Sequence, residues 1–498
     1  MILCWFYPGC NVLETQITEG TAGIVLVDSI YFRMLLRVTT VLLVWTTLVV
    51  SERVYVHPFY LLTYNQSSCD ELNEVKEETL EEQTFTPVPI QAKTSPLDEI
   101  TLKDQLVSFG QTLDSEDKTR SIEVGLLLNL VGFRMYKMLR EMMTSANGAL
   151  LLSPFGLFGT LSSFYLGSVD PTASNLQTFL GVSSQDKSCT SKLDGNKVLS
   201  ALKAVQSLLL AQEKKGSSSL LLTTMVGLFT SPDLRLQQSF VQGLSPFANA
   251  IYSRSLNLAT DPDLAAKKID MFVGAVTGWT RKTRLTGISS DTTLLFTTYT
   301  HFQGAIKGIS LLAEPQVFWI NTTTSISVPM LSGTGIFQYG NDISNNFSII
   351  QIPFNENAFI LLIKPQDADL EKIEDFILSQ DFSSWKKHLS SRKIHLTLPK
   401  LLQESTYDLQ KLLTYTKLPK LLGEEAKLSK ISSVNLKVGK VMNTVLFELK
   451  ESQEEQEKQS PGVPLEVKLD SPFFFAVYEK LSKAYLFLSR VTNPLTGV

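Results

Sequence analysis

Cysteine is scarce in this 498-residue chain: four occur, at positions 4, 10, 69 and 189, and none forms a Cys-x-x-Cys pair. That spacing suggests neither a zinc site nor a thioredoxin-type redox motif. Histidine is equally sparse, and His57, His301, His388 and His395 offer no metal-ligand spacing. With no Gly-x-Ser-x-Gly elbow, His-Glu-x-x-His pair or Gly-x4-Gly-Lys-Ser/Thr loop either, the sequence gives no ground for catalysis, a metal or a cofactor. His301 and His395 lie in strand-like runs and read as packing or edge residues. Excess positive charge is also missing. The balance of 45 Lys and Arg against 49 Asp and Glu leaves a net charge of −4 with no basic stripe, which excludes an electrostatic nucleic-acid surface. Charged residues make up 19% and apolar ones 44%, so the chain is globular, with a large buried core.

A long hydrophobic run is lacking as well. Arg33 and Arg37 precede the apolar stretch from Val38 to Val50, which ends in Val49-Val50-Ser51. A basic n-region, a short h-region and a Val-x-Ser end describe a secretory signal with cleavage after Ser51. The run is shorter than the roughly 20 residues of a membrane span, and no membrane anchor is expected. Met34 can start this leader itself, so residues 1–33 read as an upstream extension, 34–51 as the signal peptide, and the product as secreted and extracellular.

Cleavage there leaves Glu52 as the N-terminus of Glu52-Arg53-Val54-Tyr55-Val56-His57-Pro58-Phe59-Tyr60-Leu61. This decapeptide has no apolar period, and Pro58 bars an interior helix or central strand, so it is suited to recognition in extended form. It resembles the angiotensin family of peptide hormones, whose pattern is an acidic or amide residue followed by Arg-Val-Tyr-Val/Ile-His-Pro-Phe-X-Leu. The resemblance implies cleavage at Leu61–Leu62 by a renin-type aspartic protease. It implies next the removal of Tyr60-Leu61 by a zinc dipeptidyl carboxypeptidase (angiotensin-converting enzyme), leaving Glu52–Phe59 for angiotensin receptors that control blood pressure, vasoconstriction and salt balance. A further dipeptide cut would have to break the His57–Pro58 bond, whose tertiary amide and fixed φ fit a subsite poorly. The resemblance continues through Leu62-Thr63-Tyr64-Asn65-Gln66-Ser67-Ser68-Cys69 and again at Ser188–Ser200, and it implies a Cys69–Cys189 disulfide that tethers the cleavage region. Asn65, Asn321 and Asn346 stand in Asn-x-Ser/Thr acceptor sequences. Residues 62–115, Glu-rich and then Thr- and Pro-rich, have the composition of a flexible tail.

The body, 116–498, opens with helical spacing at Leu126, Leu127, Leu130, Phe133, Met138 and Leu139, which predicts a helix over 122–142. Ser153-Pro154 signals a helix start. Followed by Leu166-Gly167 and by Thr172, Leu176 and Leu180, it resembles the serpin family. Trp279 with Thr286-Gly287-Ile288, Phe302-Gln303-Gly304, Val328-Pro329-Met330, Leu469–Phe475 and Arg490–Pro494 agree with that family. Arg392–Lys400 alternates as a half-buried strand, and Thr406-Tyr407-Asp408-Leu409 is expected to start a helix. The implied fold is α+β, with three β-sheets and eight to nine helices.

An inhibitory serpin inserts its cleaved reactive loop into the main sheet and needs small residues in the hinge. Here the corresponding stretch, Glu448–Gly462, places Gln453, Glu454, Gln456, Glu457, Lys458 and Gln459 at those positions. Burying an unpaired charge costs several kcal/mol, so insertion is disfavoured. Asn443 stands where the family keeps a shutter histidine. The expectation is a non-inhibitory hormone precursor; the alternatives are a serine protease inhibitor or a carrier of a small apolar hormone or ligand.

Overall fold

The computed structural model describes residues 58–74, 83–142, 149–183, 188–216, 219–279, 285–342, 345–366, 370–379, 389–415, 421–423, 425–434, 436–452 and 462–495. The leader and Glu52–His57 lie outside them, as does Gln453–Pro461 of the hinge.

In chain order the helices are α1 (Gln66–Glu74), α2 (Glu99–Gly110), α3 (Ser115–Met142), α4 (Pro154–Gly167), α5 (Thr172–Phe179), α6 (Gly195–Leu210), α7 (Gln238–Gly243), α8 (Pro262–Thr277), α9 (Leu370–Ser379) and α10 (Leu409–Tyr415). The strands begin with β1 (Thr84–Phe85), β2 (Val88–Pro89), β3 (Leu150–Leu152), β4 (Leu220–Thr230), β5 (Leu236–Gln237), β6 (Ala250–Ser255), β7 (Leu294–Ile306), β8 (Ser310–Leu311), β9 (Gln316–Trp319) and β10 (Ser325–Val328). They continue with β11 (Met330–Asp342), β12 (Phe347–Pro353), β13 (Ala358–Pro365), β14 (Ser390–Pro399), β15 (Leu402–Asp408), β16 (Val438–Glu451), β17 (Leu465–Lys468), β18 (Phe473–Glu479) and β19 (Ala484–Val491).

Among the described residues two large sheets dominate. One has six strands in the order β15-β16-β7-β4-β6-β2; the other has nine, running β17-β14-β11-β12-β13-β18-β19-β3 with β8 beside β11. Two short ribbons, β1-β5 and β10-β9, complete them. The 13-residue β11 pairs with β14 along most of its length and with β12 at its far end, which joins the two halves of the nine-stranded sheet.

The local signals explain most elements. Ser153 caps α4, its hydroxyl accepting from the Gly156 N–H at 3.1 Å with Pro154 in the first turn, and nearly all of α4 is buried between helices and sheet. Helix α3 starts at Ser115, seven residues before the expected Ile122, because Asp114 accepts from the Asp117 N–H at 2.8 Å. Leu126 and Leu130, assigned to its apolar face, are exposed. The expected helix start at Thr406 is the end of β15 instead, and α10 begins at Leu409. Helix α8 covers one face of the six-stranded sheet, packing Ile269, Phe272 and Val276 with Met225, Phe229, Leu295 and Tyr299.

The expected flexible tail is corrected over its described part. Helix α2 buries Leu106 and Val107 in the main core and is pinned by Glu99, whose carboxylate lies 2.9 Å from His301 Nδ1 on β7. Strand β1 pairs with Leu236–Gln237, and β2 adds a parallel edge beside Arg254–Ser255. Proline at an edge leaves no central ladder bond unmade, so a Pro-containing segment can still join a sheet.

Candidate functional site

The chain enters the described structure at Pro58, and the next residues fold as a turn. The Leu62 N–H donates to the Phe59 carbonyl at 3.0 Å, and Thr63 Oγ1 donates to the Tyr60 carbonyl at 3.3 Å. Tyr60 is 53% exposed, whereas the Leu62 side chain is fully buried in the main core and Phe59 packs against it. The Leu61–Leu62 peptide is therefore folded and half inside.

Beyond the turn the chain is stitched to the body. Thr63 forms an antiparallel bridge with Leu193; the Tyr64 N–H donates to the Lys192 carbonyl at 3.0 Å and the Asp194 N–H to the Leu62 carbonyl at 2.8 Å. Lys197 Nζ donates to the Thr63 carbonyl at 2.8 Å. The sequence places that ammonium there because Asp194 caps α6, accepting from the Asn196 N–H at 3.0 Å, which sets Lys197 in the first turn. Behind the bridge, Gln177 on α5 accepts from the Leu193 N–H at 3.0 Å and donates to the Ser191 carbonyl at 2.9 Å, and the Tyr165 hydroxyl donates to the Leu193 carbonyl at 2.7 Å. Burial pushes the Tyr165 phenol well above its ordinary range and that of Tyr64, beside Asp194, up to about 12.

A covalent tie follows. Asn65 caps α1, accepting from the Ser68 N–H at 2.8 Å, and Cys69 on that helix is bonded to Cys189 across a sequence separation of 120, as the resemblance implied. Cys189 begins the short turn Cys189–Ser191 that leads into Lys192. One disulfide and one β-bridge thus hold the same few residues.

On the opposite side stands Glu123 of α3, 8% exposed, with its Oε2 lacking a hydrogen-bond partner. Burial raises its carboxyl from 4.5 to about 7, opposed by the peptide N–H groups of Leu61 and Leu62 and by the Arg120 guanidinium. Sequence reading missed both Glu123 and Lys197. The available signal for Glu123 was an acid on the helix face that carries Leu127 four residues on; Lys197 had none, since its partner is a backbone carbonyl 134 residues away.

The expected acceptors are placed as follows. Asn65 and Asn321 are exposed, the latter closing a turn by accepting from the Thr324 N–H at 2.7 Å, and Asn346 is half-buried at a positive φ of 58° before β12. His395 lies on β14 between Thr334 of β11 and Glu466 of β17, with Nδ1 2.8 Å from Thr334 Oγ1. The described end of the hinge belongs to the sheet. Strand β16 pairs in parallel with β7 from Val438 to Glu451, Phe447 stacks on Phe302 with ring centroids 5.2 Å apart, and the Ser452 N–H donates to the Ile309 carbonyl at 3.2 Å. Asn443 is buried beneath that seam and donates to Thr160 Oγ1 at 3.2 Å. Among the described residues no cluster of three or more His, Cys, Asp or Glu could hold a metal, and no helix is long and apolar enough to cross a membrane.

Comparison with known proteins agrees with this architecture. The profile of the family described as Serpin (serine protease inhibitor) matches residues 127–494. The angiotensinogen of Bos taurus is 53% identical over 462 residues, covering 92% of this chain and 97% of the relative; that of Homo sapiens is 50% identical over 462 residues, covering 91% and 97%. Human thyroxine-binding globulin shares the fold at a TM-score of 0.62 and 19% identity, covering 75% of this chain and 99% of its own. Uncleaved ovalbumin does so at 0.62 and 21%, covering 74% and 100%. The chain belongs to the serpin family. Like the relatives it matches along nearly its whole length, it is a peptide-hormone precursor built on that fold, and not an enzyme.

Proposed function

We propose that this precursor is secreted after cleavage at Ser51 and is cut by renin between Leu61 and Leu62, releasing Glu52–Leu61. Trimming by angiotensin-converting enzyme then gives Glu52–Phe59, the form that acts on angiotensin receptors. The observation that carries the reading is the state of the Leu61–Leu62 peptide: tied into a turn, with Leu62 buried and Tyr60 exposed at the rim. An aspartic protease binds extended substrate, so the turn and the bridge to Leu193 must open before the cut. The body thereby sets the release rate of a bond whose flanking leucines the protease favours. The Cys69–Cys189 bond acts in the same direction, since it joins α1 to the turn leading into Lys192, and its reduction frees the segment that follows the cut. Glycans at Asn65, Asn321 and Asn346 fit the secretory route. The inhibitory reading is disfavoured by the charged hinge and by a β7–β16 seam that is closed and stacked down to Glu451. Incubation of the full chain with renin, followed by mass spectrometry, tests the proposal; absence of the Glu52–Leu61 peptide overturns it.

A further inference from the structure

We infer that Glu123 is a positioning residue that makes opening of the Leu61–Leu62 turn depend on pH, with opening favoured as the pH rises. The inference rests on the cleavage reading above and adds a control to it.

Glu123 projects from α3 toward the peptide groups of Leu61 and Leu62, one of whose N–H groups belongs to the bond that is cut. Its side chain is almost sealed from water, and Oε2 finds no donor. A buried carboxyl in that position is tolerated as the neutral acid and is costly as the anion. The charged groups around it do not relieve that cost. On its own helix, Arg120 acts on it but is already engaged by Glu116 at 2.5 Å and Asp117 at 3.0 Å. From the α6 side, Lys197 is turned to the Thr63 carbonyl and Asp194 to the first amides of α6, while Lys192 pairs with Asp170 at 3.1 Å. From the turn itself come peptide groups and, two residues on, the un-ionised Tyr64 phenol.

Opening the turn exposes Glu123 to water, where its carboxyl returns to its ordinary range. The closed form then holds a proton up to about pH 7 that the open form releases near 4.5. A group whose pKa is raised in the closed state contributes closure that is complete below the lower value and lost as the pH climbs through the upper one. Between pH 5.5 and 7.4 those two values raise the opening constant about 20-fold.

The test compares the full chain with a synthetic peptide spanning residues 52–65, both cut by the same renin at pH 5.5 and 7.4. Dividing the kcat/KM for the chain by that for the peptide removes the titration of the protease. The wild-type ratio should rise about 20-fold between the two pH values, whereas Glu123→Gln, neutral throughout, should give a flat ratio about tenfold below the wild-type value at pH 5.5. A flat wild-type ratio, or a Gln variant that keeps the slope, overturns the inference. Hydrogen exchange without protease gives a second readout, with the amides of Leu61–Tyr64 compared between the two proteins at each pH. The Gln variant should be about tenfold more protected than wild type at pH 5.5 and about 200-fold more protected at 7.4; equal protection at 7.4 overturns the inference. If renin fails to cut the peptide at Leu61–Leu62, the cleavage reading falls while the exchange measurement still decides the role of Glu123.

Discussion

Lys197→Met isolates one closing contact without touching any residue that the protease reads. Lys197 Nζ donates to the Thr63 carbonyl at 2.8 Å, two residues past the cut, and the interaction is half-exposed. A hydrogen bond to a charged group contributes roughly 1.5–3 kcal/mol when well protected, and partial exposure reduces this to about 1–1.5 kcal/mol. Methionine keeps most of the aliphatic stem, so the loss falls on the bond. Since about 1.4 kcal/mol is a factor of ten in an equilibrium constant, the open fraction should rise roughly five- to tenfold. The assay is the ratio of kcat/KM for the full chain to that for the 52–65 peptide. The predicted increase should be similar at pH 5.5 and 7.4. An unchanged ratio, in a variant whose thermal midpoint matches wild type, would refute the idea that the bridge to residues 192–197 limits cleavage. An increase confined to one pH would show that Lys197 acts through Glu123 rather than on its own.

Three further outcomes test the tether, the core and the hinge. Cys69→Ser should raise the chain-to-peptide ratio a few-fold, and titrating wild type with a thiol reductant should reproduce the rise; equal rates for oxidised and reduced chains would rule out a tether. Glu374→Gln should cost about 3–5 kcal/mol in equilibrium unfolding, because fully buried Glu374 accepts from Arg490 Nε at 2.8 Å and the Tyr136 hydroxyl at 2.7 Å, and the substitution removes the buried counter-charge of that guanidinium. A loss under about 1 kcal/mol would mean that solvent reaches the pair. Cutting the 448–462 loop with a serine protease should give neither a denaturant-stable complex nor a large rise in thermal midpoint, and either result would restore the inhibitory reading.

The large-scale fold was legible where short-range chemistry decides the outcome. Ser153-Pro154 gave the start of α4 and the alternation at Arg392–Lys400 gave β14, while β18, which opens within Leu469–Phe475, was reached through the family resemblance. The tail was misread because composition reports how much apolar surface a segment can bury alone, not whether a neighbour offers a partner. Leu106 and Val107 are few, but the groove against α6 and β4 buries both, and His301 supplies a counterpart for Glu99. Leu126 and Leu130 were misassigned because a window of near-helical spacing cannot locate the buried stripe of a long helix to within one residue. The proposed cleavage bond rests on resemblance alone. Its burial, the Lys197 contact and the placing of the Glu123 carboxyl near Leu61 and Leu62 all join residues more than 60 positions apart, where local pattern carries no information.

On the proposed cleavage, the residues flanking the cut serve two binders with opposed demands. Leu61 and Leu62 are the bulky pair an aspartic protease favours, and Leu62 is also a core side chain whose full burial contributes roughly 2 kcal/mol to closure. Any substitution at Leu62 therefore changes protease recognition and release together, and a measured rate cannot assign the effect. Lys197, Glu123 and Cys69 lie outside the decapeptide and alter only the cost of opening, through a charged hydrogen bond, a proton and a covalent tie. Peptide groups and a single buried leucine cannot be tuned without altering the substrate, so adjustment of the release rate falls to the body. On this view the fold has a function after loop insertion is lost: it sets the energy that the protease must supply to extend the Phe59–Tyr64 segment.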